Sequence, residues 1–146
     1  MKTKIPLLIS LILLQACNSN TIRQSSDLSG KWLHDTVSLY FADGTVHSEV
    51  NINCESDYSN QRLIVVCKHK DMTDRAVYIY RNIGQGQYEA TLIENKRTPH
   101  LIGTKAITSY SIKTGYLYTV TRYPNPKAAN PGLVIKIESS LFRKPG

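Results

Sequence analysis

The sequence lacks the patterns that indicate most hydrolases, redox proteins, helical zinc sites and nucleic-acid-binding arms. It contains no Gly-x-Ser-x-Gly motif and no His-x-x-x-His motif among its four histidines. Its three cysteines form no Cys-x-x-Cys pair, so an activated redox thiol is not expected. No block of about five or more like charges occurs, which argues against nucleic-acid binding. These absences predict a protein that is not an enzyme and that uses no cofactor or metal.

The sequence has only one sustained apolar run, at the amino terminus. Lys2 and Lys4 precede an apolar segment from Ile5 to Leu14, and the small residue Ala16 follows. This order is typical of a secretory signal peptide. Because the run is about half as long as a bilayer-spanning helix, a retained transmembrane segment is not expected.

The end of this run resembles the lipobox of bacterial lipoproteins at Leu14, Ala16 and Cys17. The resemblance implies cleavage after Ala16, diacylglyceryl modification of the Cys17 thiol and acylation, for example with palmitate, of the new amino terminus. Asn18 stands where an aspartate would retain such a protein in the inner membrane. The implied location is therefore the outer membrane, with the domain facing the periplasm. The alternative is a cleaved signal peptide beside an incidental Cys17, which leaves a periplasmic protein without an anchor.

This interpretation divides the chain into a signal peptide at residues 1–16, a lipidated cysteine with a flexible tether at 17–29, and one domain at 30–146. Removing residues 1–16 leaves 130 residues and lowers the net charge from +7 to +5, with 16 Lys and Arg against 11 Asp and Glu. That length suits a single monomeric domain with its own core. Its scattered basic residues form either an ordinary solvated surface or a weakly basic face for anionic lipid headgroups.

From Gly30 onward the chain consists of short segments rich in Thr, Val, Ile and Tyr, separated by turn residues. This composition favours strands, and no downstream segment has the 3.6-residue apolar period of a helix. The predicted strands are Lys31–Phe41, Thr45–Cys54, Gln61–Lys68, Arg75–Asn82, Gln87–Asn95, Lys105–Lys113, Tyr116–Tyr123 and Leu133–Phe142. Eight sequential antiparallel strands predict an all-β, up-and-down barrel, which removes exposed edges. A two-sheet sandwich is the competing architecture.

Two cysteines remain for a disulfide, Cys54 and Cys67. An antiparallel hairpin centred between residues 60 and 61, with residues 55–60 as its turn, places these cysteines opposite each other. An exported protein meets an oxidising compartment, so a structural disulfide is predicted rather than a redox pair.

The alternation of residues predicts which side chains face the core. In the second strand Val46, Val50, Ile52 and Cys54 are predicted to face inward, while His47, Glu49, Asn51 and Asn53 face outward. In the first strand Trp32 falls on the opposite face from Leu33, Val37, Leu39 and Phe41, unless a β-bulge intervenes.

The Gly30-Lys31-Trp32 sequence at the start of the first strand resembles the Gly-x-Trp signature of lipocalins and related calycins. The resemblance extends over about residues 28–144 and includes Phe41 to Thr45 as a first hairpin. It implies that Arg143, at the end of the last strand, lies across Trp32 and closes the base of the barrel, a contact worth about 0.5–2 kcal/mol. The chain departs from the family in having no predicted helix after the barrel.

Nine tyrosines complete the candidate residues. Inside a barrel they would provide an apolar wall with hydroxyl groups for a ligand; outside, they would form a protein-binding patch. Strand propensity alone also explains them. The predicted ligand-binding residues are Tyr78, Tyr80, Tyr88, Tyr116 and Tyr118.

The sequence therefore predicts an outer-membrane-anchored lipoprotein that binds a small hydrophobic or amphipathic ligand within its barrel. The alternative is an envelope interaction module, such as an inhibitor or immunity-type lipoprotein, with a filled barrel and binding loops at Lys96–Thr104 and Tyr123–Pro131. A purely structural role in the envelope is the third possibility.

Overall fold

A computed structural model of the chain describes residues 27–124 and 133–146. The predicted signal peptide, Cys17 and the greater part of the predicted tether lie outside these residues, as does most of the loop after Tyr123. The strands are β1 (Gly30–Phe41), β2 (Val46–Val50), β3 (Cys54–Ser59), β4 (Arg62–His69), β5 (Met72–Gly84), β6 (Gln87–Asn95), β7 (Lys105–Lys113), β8 (Tyr116–Arg122) and β9 (Val134–Arg143). In the described ranges no helix is long and apolar enough to cross a membrane.

The strands form one closed antiparallel barrel. Neighbouring strands from β3 to β9 pair in sequence order, and β9 returns to pair with β1 from Trp32–Arg143 to Phe41–Val134. On the other edge of β1, β3 pairs with residues 30–33 and β2 with residues 36–40. β2 and β3 thus share one position, and nine strands make an eight-stranded barrel. The predicted all-β barrel is confirmed, and the sandwich is excluded.

A bulge in β1 resolves the irregular alternation of the first strand. The pairing of β1 with β9 shifts register between His34 and Thr36, so Asp35 is the extra residue. Trp32 and His34 therefore face the interior before the bulge, and Val37 and Leu39 face it afterwards. The extra residue brings an odd-spaced set of side chains onto one face.

The prediction for the second strand is wrong in two respects: the strand is interrupted, and half of the residues predicted to face inward face outward. Asn51 adopts a left-handed conformation (φ 54°), and its N–H donates to the carbonyl of the bulged Asp35 at 2.7 Å. This kink shifts the alternation by one residue. Val46 and Val50 point outward, with 53% and 69% of their surface exposed. Beyond the kink, Ile52 and Cys54 face inward as predicted.

His47 and Glu49 face inward because of the same shift, which corrects their predicted outward position. They pair across the strands with Leu39 and Val37, which line the interior. A polar pair at an inward-facing position is tolerated here because both side chains are 61% exposed, at the open end of the barrel.

The Cys54–Cys67 hairpin has the predicted register but a much shorter turn. Cys54 pairs with Cys67, and the disulfide is present. Residues 55–59, predicted as turn, belong to β3, and only Asn60 and Gln61 form the turn, with φ of 46° and 61°. Two positive φ values in succession match the right-handed twist of a hairpin. Because the turn is shorter, Tyr58 belongs to β3 and its side chain faces the interior of the barrel.

Candidate ligand-binding cavity

The base of the barrel is closed around Trp32, which is fully buried. The guanidinium of Arg143 lies 4.4 Å from the centre of the Trp32 ring, where the resemblance to lipocalins implies it. The indole Nε1–H donates to the carbonyl of Leu28 at 2.9 Å, and Arg143 donates to the carbonyl of Ser29 at 3.0 Å. These contacts hold the segment before β1 across the end of the barrel.

Gly30 is required at this base for two reasons. Its φ of +108° lies in a region that side chains rarely permit, and a Cβ there would lie 3.1 Å from Nη1 of Arg143. The glycine of the Gly-x-Trp sequence thus makes room for the arginine that covers the tryptophan.

A layer of tyrosines lies above the base. The rings of Tyr58, Tyr80 and Tyr88 are 5.3–6.1 Å apart in edge-on and tilted contacts, and Tyr110 packs against Tyr88 at 5.9 Å. The hydroxyls of Tyr58 and Tyr88 are hydrogen-bonded at 3.0 Å. Tyr80 belongs to this packed layer and does not line the cavity above it, whereas Tyr88 does both.

Above the tyrosine layer the barrel encloses a cavity of about 350 Å³. This volume lies near the lower end of the range for small-molecule sites, about 300–1,000 Å³. Its wall is largely apolar and includes Val37, Leu39, Ile52, Leu63, Val65, Ile137 and the disulfide. The cavity opens at the end of the barrel opposite Trp32, where His47, Glu49 and His69 form its mouth.

Most polar side chains in the wall are hydrogen-bonded to one another in pairs. Nε2 of His34 and the Ser56 hydroxyl lie 2.8 Å apart, and the hydroxyls of Thr108 and Thr121 also lie 2.8 Å apart. Burial lowers the pKa of His34 to about 4, so its imidazole is neutral near pH 7. Its Nδ1 is buried and has no hydrogen-bond partner among the residues that the structure describes.

Tyr78 and Tyr123 also line the cavity, and their hydroxyls are not part of these pairs. Burial raises the pKa of Tyr78 to about 12, and the neighbouring Tyr123 contributes to the rise. Burial likewise raises the pKa of Tyr123. Both phenols therefore remain protonated and can donate a hydrogen bond at physiological pH.

The structure separates the five tyrosines predicted to bind ligand. Tyr78 and Tyr88 line the cavity and Tyr80 lies beneath it. Tyr116 and Tyr118 are outside, which corrects their prediction: they stack on each other at 6.2 Å on the outer surface. The register of β8 explains this, because Leu117 pairs with the inward-facing Leu141 and so turns both tyrosines outward.

The cavity residues not predicted from the sequence include His34, Tyr58 and Tyr123. His34 and Tyr58 were hidden by the bulge and by the overlong predicted turn. Tyr123 follows β8 by one residue and shares the inward face of Leu117 and Thr119, so the alternation of that strand could have found it.

In the described ranges no group of three or more His, Cys, Asp or Glu side chains could hold a metal ion. His69, Asp71 and Asp74, which lie close together in the sequence, do not form such a group. The wall instead offers apolar contact and neutral hydrogen-bonding groups, which suits an uncharged or amphipathic organic molecule.

Comparison with known proteins identifies the fold alone. No protein-family model and no curated protein match the chain. Among solved structures, a lipocalin-like protein from Bacteroides uniformis superposes with a TM-score of 0.51 at 16% identity, covering 80% of this chain and 98% of that one. An uncharacterized protein from Bacteroides eggerthii superposes with a TM-score of 0.50 at 10% identity, covering 81% and 100%. The chain thus has a lipocalin-like fold.

Proposed function

We propose that the protein binds a small hydrophobic or amphipathic ligand inside its barrel. The observation that carries this proposal is the cavity of about 350 Å³, with an apolar wall and an open mouth. The interior of an eight-stranded barrel is narrow enough for larger side chains to fill it completely. Small residues such as Ala90 and Ala106, paired across β6 and β7, leave room in the wall.

The proposal includes an acyl anchor at Cys17 in the outer membrane, with the domain in the periplasm. The lipobox-like residues Leu14, Ala16 and Cys17 support it. The arrangement is compatible with ligand entry, because the chain enters the domain at the Trp32 base while the mouth lies at the other end. Cys17→Ser should abolish labelling by a fatty-acid analogue and release the protein from membranes; unchanged membrane retention would contradict the anchor.

We propose binding rather than catalysis, although His34 and Ser56 resemble two members of a hydrolytic triad. A general base works best with a pKa near the operating pH, and burial holds the pKa of His34 at about 4. An acid that would orient the ring is also missing from the part of the chain that the structure describes, where Nδ1 has no partner. The pair therefore serves to satisfy two buried polar groups.

The test is binding of an uncharged fluorescent probe, N-phenyl-1-naphthylamine, together with native mass spectrometry of protein purified from its own host. Ala106→Phe fills the cavity and should weaken probe binding about tenfold or more, since a cavity of this size has little room to spare. Ala42→Phe, in the exposed turn after β1, is the matched control. The proposal fails if the wild-type protein neither binds the probe nor carries a ligand.

One observation favours the alternative of a protein-interaction module. The connection between β6 and β7, one of the two predicted binding loops, exposes Leu101 and Ile102 beside a short 3₁₀ turn at Pro99–Leu101. A protein partner recovered stoichiometrically from envelope extract, and lost with Leu101→Ser combined with Ile102→Ser, would support that role.

A further inference from the structure

We propose that the ligand is a neutral amphiphile whose uncharged polar group, a hydroxyl or carbonyl, is hydrogen-bonded inside the cavity by Tyr78 and Tyr123. The inference rests on the proposed function and specifies the chemical class of ligand that this cavity recognises.

A ligand can bind only those polar groups of the wall that are not already hydrogen-bonded within the protein. His34 with Ser56, Tyr58 with Tyr88, and Thr108 with Thr121 already bond within the protein. Four other hydroxyls of the wall make no hydrogen bond to another residue in the described ranges: those of Thr119 and Ser139, and the two phenols of Tyr78 and Tyr123. Neither phenol hydroxyl is completely enclosed, unlike Nδ1 of His34. A buried phenol usually finds a partner, so these two indicate where a ligand would supply one.

The positions of Tyr78 and Tyr123 allow both to reach one ligand. Tyr78 lies in the middle of β5, and Tyr123 follows the end of β8 on a different part of the wall. Both side chains line the same cavity, and Tyr123 contributes to the raised pKa of Tyr78. A polar group between them would leave the inner chamber, above Tyr58 and Tyr88, for the apolar part of the ligand.

The charge of the cavity wall also restricts the ligand. The described wall contains no Lys, Arg or Asp, and its single carboxylate, Glu49, lies at the mouth with His47 and His69. Desolvating a charged group without a partner costs several kcal/mol or more, whereas a neutral hydroxyl or carbonyl is satisfied by one or two hydrogen bonds. Both phenols are protonated and therefore also offer donors without adding charge. The wall thus selects against a carboxylate or an ammonium group at this depth.

The experiment compares four ten-carbon ligands by displacement of N-phenyl-1-naphthylamine: decan-1-ol, 2-decanone, decanoate and decyltrimethylammonium. The neutral pair should displace the probe at least about tenfold more effectively than the charged pair, in keeping with the cost of burying a charge. In Tyr78→Phe combined with Tyr123→Phe, the affinity for decan-1-ol should fall about tenfold, because two neutral hydrogen bonds are lost. Affinity for the probe itself should change less than about twofold, since phenylalanine preserves the apolar wall.

Tyr118→Phe, the same change on the outer surface, is the control and should have no effect on any ligand. Absence of probe binding to the wild-type protein would overturn the proposed function and this inference together. Probe binding with equal or tighter affinity for decanoate, or with no response to the double substitution, would overturn the inference alone. That result would place the polar group of the ligand at the mouth instead.

Discussion

Closure of the base by Trp32 and Arg143 makes a quantitative prediction about stability. Trp32→Phe keeps an aromatic ring but removes the Nε1–H that donates to the Leu28 carbonyl. The lost hydrogen bond should cost about 1 kcal/mol, and the smaller ring leaves a void that costs about 1–2 kcal/mol. We therefore expect a decrease of about 2–3 kcal/mol in the free energy of unfolding, which lowers the Tm by about 10 °C in a domain of this size.

The contribution of the arginine can be separated with a double-mutant cycle. Arg143 lies over the ring but is itself exposed to solvent, so the coupling between Arg143→Met and Trp32→Leu, which removes the aromatic face, should be about 0.5–1 kcal/mol. Arg62→Met, an exposed arginine in β4, is the control that should show no coupling with Trp32.

The assay is urea denaturation followed by circular dichroism, because Trp32 is the only tryptophan and its fluorescence is lost in the variant. A cost below about 1 kcal/mol for Trp32→Phe, less than its lost hydrogen bond and void together, would refute the packing argument. Equal coupling of Trp32 to Arg143 and to Arg62 would refute the cation–π contact.

Three further predictions concern other parts of the barrel. Replacing Cys54 and Cys67 together by Ala should lower the free energy of unfolding, measured by urea denaturation, by up to about 3 kcal/mol. This is the chain-entropy value for a loop closed over a separation of 13 residues. An unchanged midpoint would mean that the disulfide does not stabilise the hairpin. Gly30→Ala should destabilise the domain through its φ of +108° and the approach to Arg143, whereas Gly84→Ala, which meets open space, should be close to neutral by thermal denaturation. Burial lowers the pKa of His34 from 6.5 to about 4 in the folded protein. Between these pH values the unfolded chain binds a proton that the folded protein does not bind, so the free energy of unfolding should fall by up to about 3 kcal/mol as the pH decreases from 6.5 to 4. Above pH 6.5 His34 should make no such contribution. His34→Gln should reduce that slope in denaturation curves measured across this range, and an unchanged slope would contradict the assignment.

Much of the barrel follows from local chemistry that the sequence displays. β6 and β7 have the predicted bounds, because clear turn residues flank uninterrupted β-branched and aromatic segments. The register of Cys54 opposite Cys67 follows from the centre of one hairpin. The pairing of Trp32 with Arg143 required the family resemblance, because residues so far apart in sequence share no local pattern.

The errors in the predicted site come from interactions between strands. The bulge at Asp35 and the kink at Asn51 satisfy each other through a hydrogen bond of 2.7 Å, so neither can be located from its own segment. Each shifts the alternation by one residue, which exchanges the inner and outer faces of everything beyond it. Val46 and Val50 therefore lie outside and His47 and Glu49 at the mouth, contrary to their hydropathy.

The sequence by itself thus determined an all-β chain of short antiparallel strands and the hairpin that carries the disulfide, and its resemblance to lipocalins added the two residues that close the base. Only the tertiary structure decided which tyrosines face inward, that Tyr78 and Tyr123 line one cavity, and that this cavity is open. The physical reason is that strand order and turns depend on neighbouring residues, whereas the volume inside a closed sheet depends on register summed around the whole barrel.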